Sequence, residues 1–385
     1  MRVLIAPDKF KGSLTATEVA DHLAHGLAEA GAHTRTLPLA DGGDGSVAAA
    51  LAAGFRPVPV TVHGATGEQH DTVIACDGDV AIVEVANTCG LAALPAGPRD
   101  ALAASSYGFG EAIRAALRLS PERLVLALGG SASTDGGIGM LAALGYRFLD
   151  PAGRLVTPTA RHLDRIHRVD GDHAVGIGDI ELVVASDVTS PLLGSTGAAT
   201  VFGPQKGADA AQVAALEAGL TTLVDAFARS GYHGAATAAL APGSGAAGGI
   251  GFAATMLAAT VVSGADYFLD LLDFDRHAAH ADLIITGEGR LDEQTLHGKL
   301  PAAVAARVTP TPLIAVVGRN DLGSAATANG FADVIAVGDL STADTTADPL
   351  LTAHLLRRIG TRIGRDQRFL GVAAGGRFAP GRSDA

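Results

Sequence analysis

The sequence predicts an α/β protein: a parallel-sheet domain formed by both chain ends, with a mixed-sheet α/β domain inserted between them. Two patterns carry that expectation. Short apolar runs alternate with amphipathic helical stretches near both termini, and the middle of the chain switches to short strands joined by tight turns. A length of 385 residues exceeds one ordinary core and suits two.

Arg2–Ala6 is an apolar run closed by Pro7. Thr15 and Glu18 then form a capping box, and Val19, Leu23 and Leu27 recur at helical spacing. Thr34–Leu39 reads as a second strand, stopped by Asp41-Gly42-Gly43-Asp44-Gly45 before a helix at Ser46–Ala53. Near the carboxyl end the alternation returns, with strands at Asp282–Thr286, Leu313–Gly318 and Asp333–Val337 and helices at Leu300–Arg307 and Leu350–Ile363. Between these parts, Val58–Val62, Thr72–Ala75 and Val80–Val85 suit antiparallel pairing. Strands at Leu124–Leu128 and Glu181–Ala185 and helices near Gln212–Ala228 and Ala247–Ala259 follow. The first domain is thus expected at 1–65 and 286–370, the insert at 66–285 and a loose tail at 371–385, with a cleft at the domain junction.

Composition removes several classes of function. With 48% hydrophobic and 18% charged residues the chain is globular, and a net charge of −12 without a basic stripe argues against nucleic acid as a partner. No apolar run is long enough to span a bilayer and no signal-peptide pattern opens the sequence, so a cytoplasmic protein with no membrane partner is expected. Cys76 and Cys89 lack paired metal-ligand spacing and read as buried thiols. The histidines form no zinc-binding group.

Chemistry concentrates where apolar runs end. Leu124–Leu128 runs into Gly129-Gly130-Ser131-Ala132-Ser133-Thr134-Asp135-Gly136-Gly137 and a helix, an arrangement whose free N–H groups and hydroxyls favour a phosphate. It lacks the Gly-Lys-Ser/Thr ending of a P-loop. Asp8, Lys9 and Lys11 follow the first run, and Asp41 follows the second, at the sheet edge where parallel sheets bind ligands. Asp187, after Glu181–Ala185, is placed to accept a hydroxyl proton or ligate Mg²⁺; the alternative is a simple Asx-turn. Lys206, in a Gly-Pro-Gln-Lys-Gly turn, is a candidate for a phosphate. Glu288, Arg290 and Asp292 follow another run, so the chain supplies the acids and cations that phosphoryl transfer needs. Gly243-Ser244-Gly245-Ala246-Ala247-Gly248 matches the dinucleotide pattern but follows no β-branched run, which makes a nicotinamide-dependent oxidoreductase the weaker alternative.

These segments, in this order, resemble type-I glycerate kinases: APDKFKGSLTA at Ala6–Ala16, PLADGGDG at Pro38–Gly45, GGSASTDGGIGML at Gly129–Leu141, ASDVTSPLLG at Ala185–Gly194, FGPQKGA at Phe202–Ala208, PGSGAAGGIG at Pro242–Gly251 and TGEGRLDEQTLHGKLP at Thr286–Pro301. The resemblance covers nearly the whole chain. It implies a Rossmann-like domain with an inserted domain, ATP and Mg²⁺, and phosphorylation of D-glycerate to 2-phosphoglycerate, with 3-phosphoglycerate or another small hydroxy acid as alternatives. The expected roles are catalysis for Asp187 and Lys9, and substrate binding for Asp8, Lys9, Ser13, Asp41 and Arg290. Gly129, Gly130, Ser131, Ser133, Thr134, Asp135, Gly136 and Lys206 are expected at the nucleotide, and Asp187 and Glu288 at the metal. The oligomeric state is left open, a homodimer being one arrangement. Phe109 departs from the family pattern, where a small or hydroxyl residue is expected; if Ser106–Gly110 edges the pocket, it alters the pocket's shape.

Overall fold

A computed structural model of the chain describes residues 1–293, 295, 299–323, 330–366 and 368. The expected tail at 371–385 lies outside the described residues. The chain divides into two units: Met1–Asp41, Ala48–Ala53 and the part from Ala265 onward form unit 1, and Gly42–Val47 with Gly54–Gly264 form unit 2.

Strands rich in Val, Ile and Leu that are buried on both faces belong in parallel sheets. In unit 1 the sheet order is Asp333–Ala336, Leu313–Val317, Leu283–Gly287, Arg2–Pro7, His33–Thr36, every neighbour parallel; the three inner strands are of this buried kind, and the edge strand His33–Thr36 is polar and largely exposed. The helix Ala16–Glu29 starts at the predicted box, with Thr15 and Glu18 capping each other. It packs Leu23 and Leu27 with Leu355, Ile359, Ile285 and Val316 into one core. Burial of each such side chain contributes about 1.5–3 kcal/mol.

Unit 2 holds a mixed six-stranded sheet in the order Thr260–Val262, Glu181–Ala185, Arg123–Ala127, Val80–Glu84, Gln69–Cys76, Arg56–His63. The first four are parallel and the last two join antiparallel. Its core includes Phe109, Leu126, Met140, Leu220, Phe227 and Phe252.

The unit boundaries differ from those expected at 65/66 and 285/286, for a pairing reason. Arg56–His63 is bonded along its whole length to Gln69–Cys76, which draws residues 54–65 into unit 2. Leu283–Gly287 is central in the unit 1 sheet, which draws residues 265–285 into unit 1. Among the described residues, no helix is long and apolar enough to cross a membrane.

Candidate functional site

In unit 1 the parallel register pairs Ala6 with Thr286 and Pro7 with Gly287. Asp8 and Glu288 therefore leave the sheet side by side at its carboxyl edge, with Asp8 N–H donating to the Gly287 carbonyl at 2.8 Å. The Asp8 carboxylate accepts from Lys9 N–H at 2.7 Å and lies 3.5 Å from the Lys9 ammonium. Burial pushes its pKa up to about 7; Lys9 opposes this and the like charge of Asp41 adds to it. Glu288 is also buried, and burial pushes it up to about 7. Thr295 donates its hydroxyl to Glu288 at 2.5 Å and Lys299 opposes the rise, while Asp8 and Asp292 reinforce it. Asp8, Lys9, Asp41 and Glu288 thus come together, as their positions after successive strands predict.

Two other unit 1 candidates have structural engagements. Arg290 is exposed and holds Asp321 at 2.6 Å, a carboxylate it shares with Arg319 at 2.5 Å. Ser13 donates to the Thr345 carbonyl at 3.3 Å.

In unit 2 the Gly-rich loop follows Arg123–Ala127 as predicted, but its helix-entry N–H groups already have an anion. Asp135, fully buried, accepts from Gly137 N–H at 3.0 Å, Gly139 N–H at 3.3 Å, Ser106 N–H at 2.8 Å and the Ser106 hydroxyl at 2.8 Å. The carboxylate thus satisfies the start of the helix Ile138–Ala143, the place where the sequence reading put a phosphate. Burial raises the Asp135 pKa, against the pull of these four bonds. The part of the loop not claimed by Asp135 is Gly129–Thr134. Lys206 reaches it from below: its buried ammonium donates to the Ser131 hydroxyl at 2.9 Å and to the Ser133 carbonyl at 2.5 Å. Burial lowers Lys206 to about 7, with Asp135 opposing. The Ser133 and Thr134 hydroxyls are buried with no partner among the described residues, and unpaired buried hydroxyls are uncommon away from functional sites.

Asp187 lies where predicted, after Glu181–Ala185, and accepts from Gly264 N–H at 2.8 Å and the Ser263 hydroxyl at 3.1 Å. The dinucleotide-like Gly243–Gly248 follows the helix Ala235–Leu240 and not a strand. It braces its neighbours instead, since Gly245 N–H donates to the Ser190 carbonyl and Gly136 N–H to the Gly248 carbonyl. Phe109 is wholly buried in the unit 2 core, so it does not edge a pocket. Cys76 and Cys89 are free, buried thiols, and burial pushes Cys89 up to about 12.

The sequence did not single out Glu84, and it named Ser106 and Thr295 only inside longer segments, without the roles seen here. Glu84, an acid closing an apolar strand, carried the one usable signal: it is buried and accepts from Gly45 N–H at 3.0 Å and Val47 N–H at 2.8 Å.

Comparison with known proteins gives a consistent result. The sequence profile of the glycerate kinase family matches residues 3–366. A glycerate kinase of Bacillus subtilis (strain 168) is 39% identical over 327 residues, spanning 83% of this chain and 85% of the relative. A glycerate 2-kinase of Escherichia coli (strain K12) is 37% identical over 329 residues, with 83% and 85% covered. A crystal structure from Salmonella typhimurium LT2, named as a candidate glycerate kinase 2, superposes with a TM-score of 0.80 at 36% identity, covering 97% of this chain and 99% of the other.

Proposed function

The chain belongs to the glycerate kinase family, and we propose that it transfers the γ-phosphoryl group of ATP to the C2 hydroxyl of D-glycerate in the cytoplasm, giving ADP and 2-phosphoglycerate. It is a phosphotransferase by family. The observation that carries the substrate reading is the carboxyl edge of the unit 1 sheet, where Asp8, Lys9, Asp41 and Glu288 gather. A small hydroxy acid needs a cation for its carboxylate and acids that can take hydrogen bonds from its hydroxyls.

Lys9 then pairs with the glycerate carboxylate, and Asp8 and Asp41 accept from its hydroxyls. Ser13 and Arg290 contribute once released from Thr345 and Asp321. Gly129, Gly130, Ser131, Ser133 and Thr134 line the phosphates, with Lys206 setting the loop from beneath. Asp135 and Gly136 act on the nucleotide indirectly, by fixing the loop's exit. Asp187 orients the attacking hydroxyl and receives its proton.

The donor set fits Mg²⁺, because buried carboxylates such as Glu288 are hard oxygen ligands whose charge a divalent cation offsets. Glu288 would hold it in unit 1, and when bound it neutralises charge on the phosphate oxygens.

Incubation with ATP, Mg²⁺ and D-glycerate, read by phosphorus NMR, tests the proposal. A 2-phosphoglycerate resonance is expected; 3-phosphoglycerate alone would overturn the regiochemistry. No product, with turnover on another hydroxy acid, would overturn the substrate.

A further inference from the structure

Gly42–Val47, from Gly42-Gly43-Asp44-Gly45 onward, forms a strap over the carboxyl ends of three parallel strands in unit 2. Over Val80–Glu84 it is tied by the Glu84 carboxylate, which takes the N–H groups of Gly45 and Val47. Over Arg123–Ala127 it meets the Gly-rich loop backbone to backbone: Gly129 N–H donates to the Gly42 carbonyl at 3.3 Å, and a Cβ on Gly129 would fall 2.3 Å from Gly43 Cα. Over Glu181–Ala185, a Cβ on Gly42 would fall 2.3 Å from the Ala185 carbonyl oxygen, and Gly42 has φ +76°. Ser46 closes the strap by donating its hydroxyl to the Gly43 carbonyl at 2.7 Å.

Asp44 rides at the middle of the strap. A Cβ on Gly130 would lie 3.5 Å from the Asp44 Cβ, so the side chain springs from the rim of the phosphate loop. It is exposed, and its carboxylate has no partner among the described residues. A rigidly mounted, unpaired carboxylate beside a loop built for phosphate is repulsive towards a bare polyanion. A divalent cation carried by the polyanion reverses that sign.

We propose that Asp44 is a ligand of the divalent cation that accompanies the nucleotide, and that Glu84 is the positioning residue that holds it over the loop. This rests on the kinase reading above and adds to it a residue and a preference: the loop takes the metal–nucleotide complex and discriminates against free nucleotide. Asp44 contributes an oxygen to the cation, and no covalent bond to protein forms or breaks.

Wild type, Asp44→Asn, Asp44→Glu and Glu84→Gln would be compared by Mn²⁺ electron paramagnetic resonance with ATP, and by calorimetric titration of ATP in EDTA. Loss of the Asp44 carboxylate is expected to weaken Mn²⁺–ATP binding roughly tenfold or more, on the scale of lost metal-shell groups. Metal-free ATP should bind Asp44→Asn as well as wild type or better, and Asp44→Glu should recover part of the metal-dependent affinity. Glu84→Gln should lower Mn²⁺–ATP affinity in the wild-type background and much less in Asp44→Asn, because the two act through one carboxylate. Equal Mn²⁺–ATP affinity in wild type and Asp44→Asn would overturn the proposal, as would an equal loss with and without metal. Wild type that binds neither form of ATP would instead overturn the kinase reading itself. Asp44 is exposed and Asp44→Asn should melt like wild type, so these results do not depend on the buried Glu84 variant folding.

Discussion

Replacing Asp135 tests whether the start of the helix Ile138–Ala143 is held by the chain's own carboxylate. Four donors converge on it, three on Oδ2 (Ser106 N–H, the Ser106 hydroxyl and Gly139 N–H) and one on Oδ1 (Gly137 N–H). Asp135→Asn can keep its amide oxygen at the crowded Oδ2 position, which sets its NH₂ against Gly137 N–H. Two buried donor groups, Gly137 N–H and the new NH₂, are then left facing each other, and each costs about 1–3 kcal/mol before relaxation. Asp135→Ala orphans three backbone N–H groups, since the Ser106 hydroxyl can rotate to another acceptor. At about 1–3 kcal/mol each, with partial relaxation, the loss should exceed about 4 kcal/mol, a rare size for one substitution. Urea unfolding would be read together with hydrogen exchange at Ser106–Leu141, because a two-unit chain need not unfold in one step. The expected order is wild type, Asn, Ala, with exchange fastest at Gly137 and Gly139 in the Ala variant. An Ala variant within about 1 kcal/mol of wild type would refute the argument, since it would mean the four bonds are worth no more than an average surface contact.

Asp8 and Glu288 are both raised to about 7, so the folded state binds protons that the unfolded state has released above about 4. Their contribution to stability is present below the unfolded pKa and lost as pH rises through about 7. Urea midpoints should therefore fall from pH 5 to pH 8, and less steeply in Glu288→Gln; identical slopes would refute this. Lys206→Met removes the hydrogen bonds to Ser131 and Ser133 that set the loop, each worth about 0.5–1.5 kcal/mol when the amine is neutral and more when it is charged. The KM for ATP should rise roughly ten- to a hundredfold while that for D-glycerate stays put, and steady-state kinetics with each substrate varied would expose equal effects.

The fold was legible where one run of sequence determines one element. Arg2–Ala6 and Asp282–Thr286 read as buried parallel strands because their apolar residues are continuous, the second found at Leu283–Gly287, and the Thr15–Glu18 box marks its helix start by itself. Arg56–His63 could be recognised as a strand but not assigned to a sheet, because alternation says nothing about which neighbour completes the pairing. The same limit governs the site. Asp8 and Glu288 could be placed at one edge from strand order alone. The role of Asp135 depends on Ser106, 29 residues earlier, and that of Glu84 on a loop 39 and 37 residues away, and no local pattern encodes such meetings. Arg290 looked available because its partner Asp321 is 31 residues further on.

The pairing of the first strand has a consequence for how the protein is made. Arg2 finds Asp282 at a sequence separation of 280, and Leu283–Gly287 is the strand that must slot in beside Arg2–Pro7. At roughly 5–20 residues per second, the first strand emerges from the ribosome about 15–55 seconds before its central partner exists. Through that interval it has only His33–Thr36 to pair with, and its other edge, apolar and hydrogen-bonding, stays open. Most of unit 2 is encoded in the gap and can fold first, so the first thing translated in unit 1 is among the last to be finished. A nascent chain of this architecture has every reason to be a client of chaperones that shield early strands.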